Sequence, residues 1–458
     1  MDSDVLDVAI VGAGPAGLSA AIEARRAGLA VAVLDEQPAV GGQIYRGIET
    51  ASARHRAVLG DDYANGLTLA QAFGRSGAQH ISGASVWNVG RDKEINYLHD
   101  GTSKVLKARH VVLASGAMER PFPIPGWTLP GVMGAGAAQI LFKSAGALPR
   151  EPVVLAGNGP LLYLLADQYL RAGIQLKAVV HSTNQSDYLR SMHAWTGALK
   201  GWHDLRKGVG MLANLRRHGV RVYAGARHFS VMGTSHAVGF SFEHGDREHR
   251  IDTALVLLHQ GVVPNTQFSW ALRAKHTWND AQLCWVPETD DDGQIEDTGI
   301  YIAGDGRGIV GAKASACQGT LAAMAIASRL SDRHGAVDPS REKQMRNALR
   351  RHLHIRPFLD ALYRPPESHR VPAHPSVIVC RCEEVTAGQI RQYVGQGCLG
   401  PNQTKAFGRC GMGPCQGRLC GLTVTELIAD ARGVSPDEVG YYRIRSPIKP
   451  VTLGELSD

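Results

Sequence analysis

The amino-acid sequence predicts an α/β protein with two units of parallel sheet flanked by helices, followed by a small, mainly helical C-terminal module. Three observations carry this expectation. Residues 5–36, VLDVAIVGAGPAGLSAAIEARRAGLAVAVLDE, read as an apolar strand, a glycine turn, a small-residue helix and a second strand ending in acid. Residues 152–181, PVVLAGNGPLLYLLADQYLRAGIQLKAVVH, repeat the pattern. A third apolar strand, TGIYIAGD at 298–305, ends in Gly-Asp before another glycine-rich helix start.

Length and composition set the frame. A chain of 458 residues exceeds what one core usually supports, so two or three domains are expected. Hydrophobic content of 44% and charged content of 20% are those of a globular protein, and 53 glycines exceed the usual share, favouring nucleotide-type loops. The net charge of +7 is densest at 333–357, RHGAVDPSREKQMRNALRRHLHIRP, with no nucleic-acid signature beside it, so a solvated face or an interface is expected there and no nucleic-acid partner. No apolar run is long enough to span a membrane and no basic leader precedes the first strand, so a cytoplasmic location is expected. Six of the eight cysteines fall after residue 379, which in such a compartment suggests a metal rather than a disulfide framework.

In the first unit, Gly12 permits the tight turn, Gly14 lets the backbone approach a pyrophosphate, and Gly17 lets helix pack on strand. Pro15 and Ala16 open the helix, whose free N–H groups would face the phosphates. Asp35 ends the second strand where a carboxylate can accept ribose hydroxyls, with Glu36 the neighbouring alternative. FAD and NAD both use such a unit.

The Gly304-Asp305 strand end resembles the second FAD fingerprint of the two-dinucleotide-binding-domain flavoproteins, a Rossmann-like fold with parallel sheets. By that resemblance Asp305 binds the ribityl or pyrophosphate portion of FAD. RHVVLASGAMERPFPIPG at 109–126 resembles the family's strand and turn at the crossing between domains, with Ser115 in place of threonine before Gly116. The second nucleotide loop, where such proteins hold NADH or NADPH, is damaged. Leu162 replaces its third glycine and should obstruct close helix packing, and the strand ending Val180-His181 offers no ribose carboxylate. NAD(P) is not expected there; another adenine nucleotide, or nothing, is. The cysteine pair of thioredoxin-reductase relatives is missing from PGVMGAGAAQILF.

In the C-terminal part, Cys380-x-Cys382 is followed by Cys410-x4-Cys415. Four thiolates in two close pairs suit an iron–sulfur cluster, and the spacing also leaves zinc open. Residues 374–430 resemble the bacterioferritin-associated-ferredoxin type of [2Fe-2S] domain, which implies Cys380, Cys382, Cys410 and Cys415 as ligands. Cys420 repeats the same gap after Cys415; it and Cys398 are read as small core residues, as are Cys284 and Cys317.

GGQIYR (41–46), PIPGWTLPGVMGAGAAQ (123–139), LLHQGVVPN (257–265) and RSPIKPVTLGEL (445–456) resemble the larger subunit of bacterial opine oxidases and hydroxyproline dehydrogenases, and also a hydrogen cyanide synthase subunit, which serves glycine oxidation. The resemblance implies a hetero-oligomer in which a D-amino-acid-oxidase-type flavoprotein subunit oxidises a C–N bond, a further small subunit being possible. This chain would relay electrons through FAD and the cluster, with Gly42 and Gln43 near the flavin. A self-sufficient NAD(P)H-dependent oxidoreductase is the rival reading. His55, His80, His181, His259 and His374 stand in no motif and are read as surface or core residues, so no catalytic residue is assigned. The expected organisation is an FAD domain at 1–115 and 280–330, an NAD(P)-type domain at 116–279, a linker at 331–373, a [2Fe-2S] domain at 374–435 and a tail at 436–458.

Overall fold

The computed structural model describes residues 5–330 and 338–457. The apolar run Leu6–Val11 is buried at every position after the first, as a central parallel strand must be. It pairs in parallel with Val31–Asp35 and Thr102–Leu113, and Gln79–Ser82 extends the sheet beyond Val31–Asp35. Ile300–Ile302 returns from late in the chain to lie parallel to Thr102–Leu113, so this sheet is assembled from two distant stretches of sequence. The strands Glu94–His99 and Ser85–Val89 continue it as an antiparallel meander.

The second sheet centres on Val153–Asn158, flanked by Leu176–His181 and Arg221–Ala224 on one side and by Val256–Gln260 and Val132–Gly134 on the other. An antiparallel sheet formed by Arg227–Met232, Gly239–His244 and Arg247–Asp252 supplies Phe229, Phe240 and Phe242 to its core. A short pair, Ala117–Glu119 with Val262–Pro264, joins the two units.

Both glycine loops end in helices with proline in the first turn, Pro15–Arg26 and Pro160–Arg171. The helix Ala312–Arg329 crosses Pro15–Arg26 so closely that a Cβ on Gly319 would lie 2.0 Å from the Ala16 carbonyl oxygen. That crossing brings the start of the late helix and the first loop to one place.

The C-terminal third is packed onto the two units, including the stretch expected to run over the surface as a linker. Part of the expected linker, residues 331–337, lies outside the described residues. The rest is no surface spacer: helix Pro339–Leu353 packs on Ala312–Arg329, and the chain from 354 to 371 crosses the second unit with Leu362, His369 and Val371 buried. We call this crossing the strap. The segment expected as a tail is packed as well. Tyr442, Ile444 and Ile448 share one core with Cys380, Cys410, Cys420, Val424 and Leu427, and that core continues into Ala9, Val11 and Leu113 of the first sheet. Apolar residues spaced through 439–448 carry this packing, and the polar surroundings hide them in the sequence. No helix among the described residues is long and apolar enough to cross a membrane.

Candidate functional site

The first loop forms a cradle that only glycines allow. Gly12 has φ 107°, and a Cβ there would sit 2.5 Å from the Ala114 carbonyl oxygen. A Cβ on Gly17 would meet the Gly12 carbonyl oxygen at 1.9 Å. Gly42, at φ 60°, stands over Gly14, where a Cβ would come within 2.8 Å of the Gly14 Cα. Pro15 and Ala16 begin the helix that points at this gap. The cradle, with backbone on both sides and a helix N-terminus at its end, fits the pyrophosphate of a dinucleotide.

The remaining candidates surround it. Asp35 accepts from the Ala13 N–H at 2.6 Å and from the Gln37 N–H at 2.8 Å, which fixes its carboxylate beside the loop. Glu36 is paired with Lys449 from the C-terminal segment; burial raises its pKa, but that pairing outweighs it and holds the carboxyl below its ordinary value. Gln43 donates to the Ala117 carbonyl at 3.3 Å, reaching the strand pair that joins the units. Ser115 donates to the Asn265 carbonyl at 2.9 Å, and Gly116 adopts φ 66°. Gly304, at φ 80°, packs beside Ala16, and Asp305 Oδ1 accepts from the Val310 and Gly311 N–H groups at 2.8 and 2.9 Å. The structure therefore brings Gly17 against Gly12, Gly42 against Gly14 and Gly304 against Ala16, with Asp35 fastened to the same loop.

The second loop is filled by the chain itself. Leu162 is fully buried, as its size demands. Glu119 lies across the N-terminus of helix Ala135–Ala145, accepting from the Gly136 N–H at 3.1 Å. His259 Nδ1 meets the Glu119 carboxylate at 2.6 Å, and the far side of its ring faces Gly159, where a Cβ would be 3.2 Å from Nε2. Two helix N-termini that would ordinarily attract a phosphate thus meet a carboxylate and an imidazole. The strap closes the rest. Asn158 donates to the Arg364 carbonyl at 3.3 Å, Gln260 donates to the His369 carbonyl at 3.2 Å, and Arg190 donates to the Ala361 carbonyl at 3.3 Å. Sequence reasoning missed this arrangement because Glu119 and His259 are far apart in the chain and His259 lacks a motif.

Five cysteines of the C-terminal module fall in two groups, a buried trio and a more open pair. The thiols of Cys380, Cys410 and Cys420 lie within 4.8 Å of one another and are buried. Hydrogen bonds from Cys410 and Cys420 hold the Cys380 thiol far below its ordinary pKa. Cys382, exposed, and Cys415, half-buried, hydrogen-bond to each other, and Cys382 is within electrostatic reach of Cys380. Cys420 is buried in the core as expected and also lies beside Cys380 and Cys410, a proximity the two equal x4 gaps could not reveal by spacing. Such a soft, convergent donor set fits an iron–sulfur cluster or zinc.

The module abuts the strands that join the two units. A cavity of about 30 Å³ there is lined by Asn265, Gln267 and Trp285 on one side and by Arg418, Leu422 and Tyr441 on the other. Trp270 stacks on Tyr441 with ring centres 5.2 Å apart. Trp127 donates from its indole N–H to the Ile378 carbonyl at 2.7 Å, just before Cys380.

With this geometry in view, comparisons with known proteins define the class. Residues 6–328 match the family described as pyridine nucleotide-disulphide oxidoreductase, and residues 375–458 match the sarcosine oxidase A3 domain. The crystal structure of L-proline dehydrogenase from P. horikoshii superposes with TM-score 0.70 at 20% identity, covering 99% of this chain and 80% of that one, a likeness of fold. The chain belongs to the pyridine nucleotide-disulphide oxidoreductase family and is a flavin-dependent oxidoreductase. Within that class it belongs with the opine oxidase A subunits. The opine oxidase A subunit of Agrobacterium tumefaciens (strain Ach5) is 47% identical, covering 99% of this chain and 92% of that one. Hydrogen cyanide synthase subunit HcnB of Pseudomonas aeruginosa is 30% identical, covering 98% of each.

Proposed function

We propose that this chain is the electron-relaying subunit of a hetero-oligomeric, flavin-dependent dehydrogenase or oxidase acting on an opine or a related amino acid. FAD is held by Gly12, Gly14, Pro15, Ala16 and Gly17 at the pyrophosphate, by Asp35 or Glu36 at the ribose, and by Gly42, Gln43, Ser115, Gly116, Gly304 and Asp305 around the remainder. A [2Fe-2S] cluster takes four ligands, Cys380, Cys382, Cys410 and Cys415, with Cys420, which lies beside Cys380 and Cys410, as the alternative. When bound, the flavin exchanges electrons in pairs or singly and the cluster singly, so the two together can relay them.

The observation that carries this reading is the filled second loop. Glu119, His259 and the Arg364 carbonyl crowd the second glycine loop, which supports a reading in which reducing equivalents enter elsewhere than through a nicotinamide coenzyme. The converging cysteines, adjoining the strands next to Gly116, offer the second terminus of such a route. The 47% identity to an opine oxidase A subunit favours an opine over the hydrogen cyanide synthase type of reaction, whose relative stands at 30%. By the same resemblance a D-amino-acid-oxidase-type partner oxidises the C–N bond, and the residues here bind and orient the carriers. No proton-transfer residue is assigned to this chain.

The test is anaerobic reduction of the purified chain, alone and assembled with its substrate-oxidising partner. Opine should bleach the flavin only in the assembly, and NADH or NADPH in neither. Rapid bleaching of the isolated chain by a nicotinamide coenzyme would defeat the reading.

A further inference from the structure

Lys143, on helix Ala135–Ala145, is 6% exposed and has no acid to answer its charge. Its Nζ donates to Gln139 Oε1 at 2.9 Å and to the Gln43 carbonyl at 3.2 Å, and lies 5.9 Å from the centre of the Tyr63 ring. Among the described residues no carboxylate pairs with it, whereas a second cation, Arg46, stands within electrostatic reach and keeps its Nε buried without a partner. Burying an ammonium away from any counter-charge is costly, so a negative group is expected to meet it. We propose that Lys143 is the buried counter-cation of the cofactor: the anionic dinucleotide in the first cradle completes the charge of this ammonium and binds together with the proton that maintains it. The inference rests on the flavin reading above and adds a proton to it.

Position carries the assignment. Gln43 follows Gly42, which stands over Gly14, so the carbonyl held by Lys143 belongs to the rim of the cradle itself. The backbones are close as well: a Cβ on Gly47 would lie 2.9 Å from the Lys143 carbonyl oxygen. On its other side the amine is anchored, since Gln139 donates to Gln168 Oε1 at 2.9 Å and Gln168 donates to the Leu59 carbonyl at 2.8 Å. These neutral amides fix the amine without neutralising it. Burial, and then Arg46, push the Lys143 pKa from 10.5 down to about 7, so with no anion beside it the amine is half protonated there. The neighbouring groups do not supply the missing charge. Glu36 is within reach of Arg46, Asp62 of Tyr45, and Asp167 is taken by Arg171; none of these acids acts on Lys143. Burial raises the phenols Tyr45, Tyr63 and Tyr169, which stay neutral, and leaves His55, packed on the adjacent Phe142, to be separated by experiment.

An anion beside Lys143 favours its charged form, so cofactor affinity should fall as the amine loses its proton. Dissociation constants for FAD are measured by flavin fluorescence on the deflavinated full chain, with far-UV circular dichroism reporting the fold. The constant should rise about tenfold between about pH 6 and about pH 8, and calorimetry in buffers of different ionisation enthalpy should show about half a proton taken up per FAD at about pH 7. Lys143→Met, which keeps the length and removes the charge, should bind FAD more weakly and equally at both pH values. His55→Gln should keep the full dependence. An unchanged constant in the unsubstituted chain, no proton uptake, a dependence that survives in Lys143→Met, or one that vanishes in His55→Gln each overturns the inference and leaves the flavin reading intact. A chain that takes up no FAD at either pH defeats that reading instead, and the inference goes with it.

Discussion

Asn158, at the tip of the second glycine loop, donates its side-chain amide to the backbone carbonyl of Arg364, 3.3 Å away and 206 residues later in the chain. Asn158 is 1% exposed, and its Oδ1 is also engaged, accepting from Thr183 at 2.8 Å. Loop and strap are thereby tied by one fully committed side chain. Asn158→Leu leaves the Arg364 carbonyl and the Thr183 hydroxyl without their partner, at a cost of about 1–3 kcal/mol for each buried group left unpaired. Limited proteolysis should then cut within 354–371 faster than in the unsubstituted protein, while the flavin stays bound. Equal cutting rates would mean the strap is held by other contacts.

The Glu119–His259 pair should behave as a structural unit. Glu119→Ala strands a His259 ring that is 2% exposed and removes the acceptor of the Gly136 N–H. The expected loss is about 1–3 kcal/mol, read as a lower urea midpoint with unchanged slope. Nicotinamide binding should not appear in this variant, because the strap still covers Asn158; nucleotide binding by calorimetry checks that half of the prediction.

Stability should fall in mild acid through His369. Its ring, 3% exposed, sits against Phe122 and Phe229 with centres 4.8 and 4.7 Å apart, and burial pushes its pKa from 6.5 down to about 3. The unfolded chain takes up a proton below about pH 6.5 that the folded protein refuses, so this contribution is complete above 6.5 and is lost progressively as pH falls toward 3. His181 and His276, both lowered to about 4 by burial, act in the same direction. His369→Phe should flatten the decline in urea midpoint between pH 6.5 and about 5 without abolishing it. An unchanged slope would show that His369 is not neutral in the fold.

Flavin retention should depend on Gly42. Alanine there must hold φ 60°, which costs about 1–2 kcal/mol for an L-residue, and must also displace Gly14. Gly42→Ala should lower flavin affinity by about tenfold or more, measured by fluorescence during reconstitution of deflavinated protein. Gly245→Ala, at φ 62° in an open turn, has the same strain without the close contact and should leave flavin affinity unchanged.

Much of the fold was legible because each βαβ unit is local: strand, glycine turn and helix lie in unbroken sequence. The return of Ile300–Ile302 to the first sheet was also expected, since Gly304-Asp305 marked it. What escaped depends on contacts between distant segments. Nothing in HIRPFLDALYRPPESHR says that its carbonyls will be read by Asn158 and Gln260, because backbone acceptors carry no residue signature. Glu119 stands in no motif, and the pairing of Ala117–Glu119 with Val262–Pro264 is what brings its carboxylate within reach of His259. Cys420 was indistinguishable by spacing from Cys410, and only helix Gly421–Arg432 gives it a different environment. The Lys449–Glu36 pair, linking the last segment to the first nucleotide unit, was likewise invisible from composition.

The strap has a consequence for how the protein meets its surroundings. An occupant joined covalently to its own site has an effective concentration in the millimolar range or above, constant in every cell and condition. A diffusing metabolite must outcompete that tethered segment to enter. On the reading proposed above, a rise in the supply of soluble coenzymes would have to displace a stretch of the protein's own backbone before it could be felt at the second loop.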